Sequence, residues 1–335
     1  MTGIDIGSKS IKIIELTKNG KLFNLKSSGA VGYTGISPDK SVEEKDLVSL
    51  AEVIKKIVKQ IGVFSKEANI CLPEAAVFTR IIRFPLLTEE EVASAVKWEA
   101  EQYIPIPFAD AVIQYTILER NETTMQTSVL LVATPKAIVE KYVRVLRLAG
   151  LTPISAETEL TALARSVSPE VGVSLLLDLG SSATDMAIVK NGKVVFTRSI
   201  PVAGEAFTRA VSQGLGISIA QAEEYKKTYG LDEKQLEGKV KASLESVFRM
   251  VIDEVKKAIS FFQTEEKGDV PTSIVITGGV SNMPGIVPYL TTALGIETVV
   301  GNPYTKLNLD QDTLNNLAPY ASIYGASIGL AMRED

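Results

Sequence analysis

The sequence predicts an α/β protein of two lobes, on three observations. A glycine-turn hairpin occurs twice, half a chain apart; amphipathic helical segments alternate with strand-like runs; and 335 residues, at about 150 per domain, suit a two-lobed body. Hydrophobic residues make up 45% and charged residues 22%, a globular composition that excludes disorder as the dominant state.

The repeated hairpin is the strongest of the three. GIDIGSKSIKIIELTKNGKLFNL begins at Gly3 and LLDLGSSATDMAIVKNGKVVFTR at Leu176. Asp5, Gly7 and Ser8 match Asp178, Gly180 and Ser181 at an offset of 173, and Asn19-Gly20 matches Asn191-Gly192 at an offset of 172. Asn-Gly between apolar runs signals a type I′ turn, which needs positive φ at both central residues. Each lobe is therefore expected to open with the same hairpin.

Between the hairpins, Ser41 with Glu44 has the pattern of a capping box ahead of Leu47, Leu50, Ala51, Ile54, Ile57, Val58 and Ile61, a helix stopped by Gly62. Thr88 with Glu91 opens a second helix through Val92, Ala95, Val96 and Trp98, barred from continuing by Pro105 and Pro107. Strand-like runs at 111–119 and 127–134 flank a polar turn, and an amphipathic helix after Pro135 ends at Gly150. Residues 81–154 thus read helix, strand, strand, helix, a small insert within the first lobe. Residues 1–80, 155–170 and 318–335 form the expected first-lobe core. The second-lobe core spans 171–203 and 269–317, with a helical subdomain at 204–268. Tyr320 to Met332, small and apolar with Gly325 and Gly329, suits a closely packed buried helix.

Composition removes whole classes of chemistry. Zero histidines exclude His-ligated zinc, Ser-His-Asp and Cys-His catalysis. Cys71 is the single cysteine, so no internal disulfide forms, and it reads as a small buried apolar residue in a reducing compartment. A net charge of -5 gives no general pull onto nucleic acid or anionic lipid. The longest uncharged stretch, 270–296, is interrupted by Pro271, Pro284, Pro288, Gly278-Gly279 and Asn282 and reads as strand, glycine turn and helix, not a membrane span. With no basic region and apolar segment at its start, the chain is expected to be cytoplasmic.

Asp-x-Gly-Ser at a hairpin tip suits phosphate: glycine lets backbone N–H groups approach the oxygens, the hydroxyl adds a donor, and the aspartate can hold a hydrated Mg²⁺. A single copy reads better as an ordinary strand turn; two copies half a chain apart reverse that preference, because facing hairpins would clamp a triphosphate. The opening is not a P-loop, because three residues separate Gly3 from Gly7 and a β-type run follows Lys9. Glu223 and Lys226, three apart on one helical face, can bond ribose hydroxyls or simply pair with each other. Gly278-Gly279 lets a flat ring lie on bare backbone or serves as a strand-to-helix turn. One carboxylate of Glu157 and Glu159, ahead of Leu160, Ala162, Leu163 and Ala164, can orient water or stabilise a helix N-terminus. Trp98, Tyr103 and Ile104-Pro105-Ile106-Pro107 read as packing or as a groove for a partner peptide.

In order, the hairpin at Asp5, the hairpin at Asp178 and the glycine pair resemble the two phosphate motifs and the adenosine motif of the actin, sugar-kinase and heat-shock ATPase superfamily, with its ribonuclease H-like halves. That resemblance implies ATP and Mg²⁺ in a cleft lined by Asp5, Gly7, Ser8 and Lys9, by Asp178, Gly180, Ser181 and Ser182, and by Gly278, Gly279 and Val280. Asp5 and Asp178 would serve the metal. AEEYKKTYG resembles the nucleoside-contacting helix of bacterial actin-like proteins, implying ribose contacts for Glu223 and Lys226 and a place beside adenine for Lys227. ETELTALA resembles the catalytic-glutamate segment, implying Glu157, with Thr158 where proline is usual.

Within the superfamily the chain most resembles the type IV pilus assembly protein PilM family, relatives of the division protein FtsA, through GIDIGSKSIKIIEL, KWEAEQYIPIPF from Lys97 and SIGLAMR. This implies an FtsA-type insert subdomain and a cytoplasmic ATP-binding platform with at most slow hydrolysis. It also implies docking of the N-terminal tail of an inner-membrane PilN-like protein in a groove between first-lobe core and insert, with membrane contact only through that partner. Self-association stays open. Two rivals are an FtsA-like filament-forming division protein, which needs a membrane-binding tail that Arg333-Glu334-Asp335 does not supply, and a small-molecule kinase, which needs an acceptor base not identifiable here.

Overall fold

Alternating buried isoleucines create the first-lobe sheet. β1 (Thr2–Ile6), β2 (Ser10–Asn19) and β3 (Leu22–Gly32) form an antiparallel meander; α1 (Glu44–Ile61) crosses over to β4 (Glu67–Leu72), which runs parallel to β1. The computed structural model describes residues 1–334. Beyond β4 come β5 (Phe78–Pro85), α2 (Glu89–Tyr103), β6 (Ala111–Asn121) and β7 (Gln126–Pro135), then α3 (Lys136–Leu148), β8 (Thr152–Thr158) and α4 (Glu159–Val167). The second lobe begins again with a hairpin meander, β9 (Val173–Leu179), β10 (Thr184–Lys190) and β11 (Lys193–Ile200). It continues through α5 (Gly204–Leu215), α6 (Ile219–Tyr229), α7 (Lys239–Thr264), β12 (Ser273–Thr277), α8 (Ile286–Leu294) and β13 (Glu297–Val300). The chain closes with β14 (Leu307–Asn308), α9 (Gln311–Leu317) and α10 (Ala321–Ala331).

Two sheets result, β14-β3-β2-β1-β4-β8 and β11-β10-β9-β12-β13, with a separate three-stranded sheet β5-β7-β6. Ile4, Ile6, Ile11 and Ile13 point to one face of the first sheet and pack on α1 and α3. Leu175, Leu177, Met186, Ile188, Ile274 and Ile276 do the same in the second lobe, against α5 and α7. The facing sides enclose α4 and α10. Leu160, Leu163 and Ala326 of these helices bury against Leu176, Ala187 and Val275, while Ile328 and Ala331 bury against Ile14 and Leu16. Each lobe thus shares its last helix with the other, giving five layers from helix to helix.

The two central helices touch because their contact residues are small. A Cβ on Gly329 of α10 would stand 1.8 Å from the Ala162 carbonyl oxygen of α4; where α10 meets the first sheet, one on Gly3 of β1 would stand 2.1 Å from the Ser327 carbonyl oxygen. The tight buried helix expected from Gly325 and Gly329 is therefore the pivot between the lobes.

The sequence and structure differ in three places. The insert read as 81–154 is a strand, a helix and two strands within 78–135. β5 went unread, and α3 belongs to the first lobe, where Tyr142, Val145 and Leu146 join the α1 core. Residues 303–317, assigned to the second lobe, return to the first: β14 pairs with β3, and Tyr304 and Leu307 pack with Tyr324. Thr88 and Glu91 do form a capping box, but Ser41 does not cap α1; its hydroxyl bonds Asp46 at 3.0 Å, and Glu43 occupies the N-cap without a side-chain bond.

The pivot makes a direct expectation. Gly329→Ala places a methyl inside the Ala162 contact and should lower unfolding stability by about 3 kcal/mol through overpacking. Gly279→Ala, whose Cβ would meet nothing within 4 Å, should change it little. Equal Tm values for the two variants by calorimetry would contradict this account.

Candidate functional site

The two hairpins point their turns into one cavity of about 2030 Å³ between the lobes. Gly7 N–H donates to Ser10 O at 3.0 Å and Gly180 N–H to Ala183 O at 3.1 Å, so the same turn closes both tips. The distal ends of the hairpins differ by one residue. Asn191 and Gly192 both have positive φ, a I′ turn, whereas in the first hairpin Gly20 alone does and the loop is Gly20-Lys21, as in II′. The first turn residues, Gly20 and Asn191, are thus 171 apart, so the second hairpin reaches its turn two residues sooner after its aspartate than the first does.

Pairing across each hairpin brings a second ionisable residue opposite each aspartate. Asp5 faces Lys12, and Asp178 faces Asp185. Lys12 Nζ donates to Asp5 Oδ2 at 2.9 Å. Burial alone would lower the Lys12 ammonium; Asp5 outweighs it and holds it at about 12. In the second lobe, Thr277, Asp178, Asp185 and Ser199 form a row across β12, β9, β10 and β11. Thr277 Oγ1 donates to Asp178 Oδ1 at 2.8 Å, yet burial still pushes Asp178 up to about 6. Burial, with the Asp178 charge adding to it, pushes Asp185 up to about 7.

Glu159, the first residue of α4, completes this acidic wall. Its carboxyl is raised well above the ordinary range by burial and then by Asp5, Asp178 and Asp185. One carboxylate oxygen from each of Glu159, Asp178 and Asp185 lies within 4.8 Å of the others, a spacing that fits a hard divalent cation. Of the two aspartates expected at a metal, Asp178 joins this triad; Asp5 does not, its charge being matched by Lys12.

Glu157 is a correction. It lies on β8, the edge strand two places from β1, where Arg165 grips it at 2.6 and 2.7 Å and Arg333 approaches to 3.4 Å. It does not line the cleft; Glu159 does.

Every residue expected to touch nucleotide lines the cavity: Asp5, Gly7, Ser8 and Lys9 on one wall, Asp178, Gly180, Ser181 and Ser182 on the other, then Glu223, Lys226 and Lys227 on α6 and Gly278, Gly279 and Val280 after β12. Their roles separate on inspection. Gly278 must be glycine: its φ is +84°, and a Cβ would stand 2.4 Å from Leu179 O. Gly279 offers an open backbone wall. Lys226 Nζ donates to Gly204 O at 3.1 Å and Thr208 Oγ1 at 2.9 Å, bracing α6 against α5, and to Glu223 at 2.6 Å within α6, so all its protons are used. Glu223 and Lys227 keep exposure to the cleft. Lys9 reaches across the mouth to Glu205 at 2.9 Å.

Lys12 and Asp185 were missed, although both sit seven residues beyond their aspartates and align at the offset of 173. Glu74, in a 3-10 turn after β4, was also missed. It is 3% exposed, and burial pushes its carboxyl up to about 8, with the Asp185 charge adding to the effect.

Duplicated hairpins, exchanged central helices and a shared cleft define an actin-like two-lobed fold. The chain belongs to the type IV pilus assembly protein PilM family, whose model matches residues 3–335. It is 23% identical to the cell division protein FtsA of Bacillus subtilis (strain 168) over 402 aligned residues, covering 99% of this chain and 86% of FtsA. Its structure is similar to that of a PilM-PilN type IV pilus biogenesis complex, with a TM-score of 0.83, 25% identity and coverage of 99% of this chain and 97% of that one. MreB5 of Spiroplasma citri bound to AMPPNP is similar in fold, with a TM-score of 0.55, 15% identity and coverage of 98% and 93%. Among the described residues, no helix is long and apolar enough to cross a membrane.

The acidic wall gives a pH expectation for nucleotide-free protein in chelator. Below its unfolded value of 4.5 Glu74 is protonated in both states; as pH rises to about 8 only the unfolded state releases that proton, so stability falls, then levels. Glu74→Gln should flatten this component of the Tm profile between about pH 5 and 8 and raise Tm at the upper end. Identical slopes in both proteins would contradict it.

Proposed function

We propose that this chain is a nucleotide-dependent docking platform of type IV pilus assembly. Mg²⁺-ATP in the cleft sets the angle between lobes, and that angle tunes affinity for the N-terminal tail of a PilN-like inner-membrane protein, through which the chain reaches the membrane. The observation carrying the nucleotide half is the convergence of two identical hairpin turns on one cavity, a cation opposite the first aspartate and a carboxylate opposite the second. Lys12 would meet phosphate oxygens. Glu159, Asp178 and Asp185 would hold the metal through its hydration shell, and Mg²⁺ when bound supplies charge neutralisation at the phosphates. The bare backbone at Gly279 would receive the base, with Glu223 and Lys227 beside the ribose. Glu159, in place of Glu157, is the carboxylate positioned to orient water at the terminal phosphate.

The docking half rests on family membership and on the insert's attachments. The insert leaves the first lobe, yet its Leu130 buries among Leu176, Ala187 and Val194 of the second. Thr79 bonds Thr197 at 2.8 Å and Arg83 bonds Glu266 at 2.6 Å, again across the lobe boundary. A tail seated between first-lobe core and insert would feel any change of lobe angle. Trp98 on α2, 75% exposed, and Tyr103, stacked under Arg80 at 3.9 Å, are available to a partner.

A fluorescent ATP analogue should bind saturably with Mg²⁺, and Asp178→Asn and Gly279→Ala should each weaken binding at least ~10-fold. Absence of saturable binding by the wild-type chain would end the nucleotide reading. Affinity for a PilN-like tail peptide should change ~5-fold or more between nucleotide-free and analogue-saturated protein; equal affinities would end the coupling. Any slow hydrolysis should drop ~100-fold in Glu159→Gln. In Glu157→Gln turnover should persist while stability falls by about 2 kcal/mol, because Arg165 loses its partner. The reverse pattern would restore Glu157 as the catalytic group.

A further inference from the structure

At the end of the cleft nearest the insert lie two carboxyl groups that the nucleotide reading does not explain by pairing. Glu74 is 3% exposed, and neither of its oxygens has a hydrogen-bond partner. Asp185 is 7% exposed, and its Oδ1 is likewise unpartnered. Both line the cavity. Asp185 is the charged group that acts on Glu74. The nearby basic residues are taken elsewhere: Lys12 by Asp5, Arg198 by Glu254. On the same stretch of β11 the hydroxyls of Thr197, which also pairs with Thr79, and of Ser199, in register with Asp185, lie near enough to offset part of the burial of Glu74 and Asp185, though neither completes a well-formed bond to the unpartnered oxygens. A buried carboxyl without a partner costs several kcal/mol in general, so such groups persist where something binds them.

We infer that Glu74 and Asp185 form a divalent-cation site that bridges the lobes, with the hydroxyl-bearing face of β11 completing an all-oxygen surrounding. Oxygen-only donors select a hard ion of the Mg²⁺ or Ca²⁺ kind over softer metals. Glu74 belongs to the first lobe just before the chain enters the insert, and Asp185 to the second-lobe hairpin. One ion therefore ties the root of the insert to the opposite lobe. This site differs from the Glu159–Asp178–Asp185 triad by its dependence on Glu74, and it requires no nucleotide.

Mn²⁺ is the probe, followed by electron paramagnetic resonance on the nucleotide-free full chain. Wild type should bind at least one ion per chain, and Glu74→Gln should weaken one of those sites at least ~10-fold, while Glu159→Gln, which disturbs the triad, leaves the Glu74-dependent ion bound. Mn²⁺ should also raise the Tm of wild type and not that of Glu74→Gln, whose fold is checked by circular dichroism. Wild-type affinity in Glu74→Gln, or loss of the ion in Glu159→Gln alone, would overturn the proposal, as would no Mn²⁺ binding without nucleotide. A chain that binds Mn²⁺ through Glu74 yet binds no ATP analogue would retain this site and lose the platform reading.

Discussion

The contact on which the rest depends is the crossing of α4 and α10 at Ala162 and Gly329. Two sheets can face each other across a ligand cleft only if something fills the space behind that cleft. Here the filling is a pair of helices close enough for backbone to meet backbone. Apolar side chains on both then reach both sheets, Leu160 and Leu163 towards one and Ile328 towards the other. The hydrophobic gain from this arrangement is shared between lobes, so neither core is complete without the other.

From that pivot the hairpins inherit their geometry. The same turn, built twice, places an aspartate at the end of a first strand and a side chain seven residues later opposite it. In one lobe the opposite residue is Lys12, in the other Asp185. A symmetric scaffold thus becomes an asymmetric site, with a fixed positive charge on one wall and a set of carboxyls on the other. Burial raises those carboxyls because water is excluded and Lys12, already paired with Asp5, offsets that only in part, which is the condition in which added positive charge has its largest effect.

Much of this was legible in the sequence. Asp-x-Gly-Ser followed by a strand and a tight turn is local chemistry, so its repetition revealed two lobes, both phosphate turns and, with the glycine pair, the cleft. What stayed hidden was non-local. Glu157 and Glu159 are equally plausible by spacing, and only the position of β8 at the sheet edge, within reach of Arg165, separates them. α3 and residues 303–317 carry ordinary amphipathic patterns that say which face is buried but not against which lobe. β5 went unread because its alternation is broken by Arg80 and Arg83, whose side chains find partners in Tyr103 and Glu266, far along the chain. Lys12 is the exception: the internal alignment contains it, at the offset of 173 that pairs it with Asp185 of the second hairpin.

The insert's anchorage has a mechanical corollary. Because a first-lobe appendage is fastened to the second lobe by Leu130, Thr79 and Arg83, the halves are hinged at one place and strapped at another. Any change of angle about the helix crossing has to strain or remake those insert contacts. Whatever sits on the insert thereby touches both halves at once, much as a bracket screwed to two boards registers any shift between them.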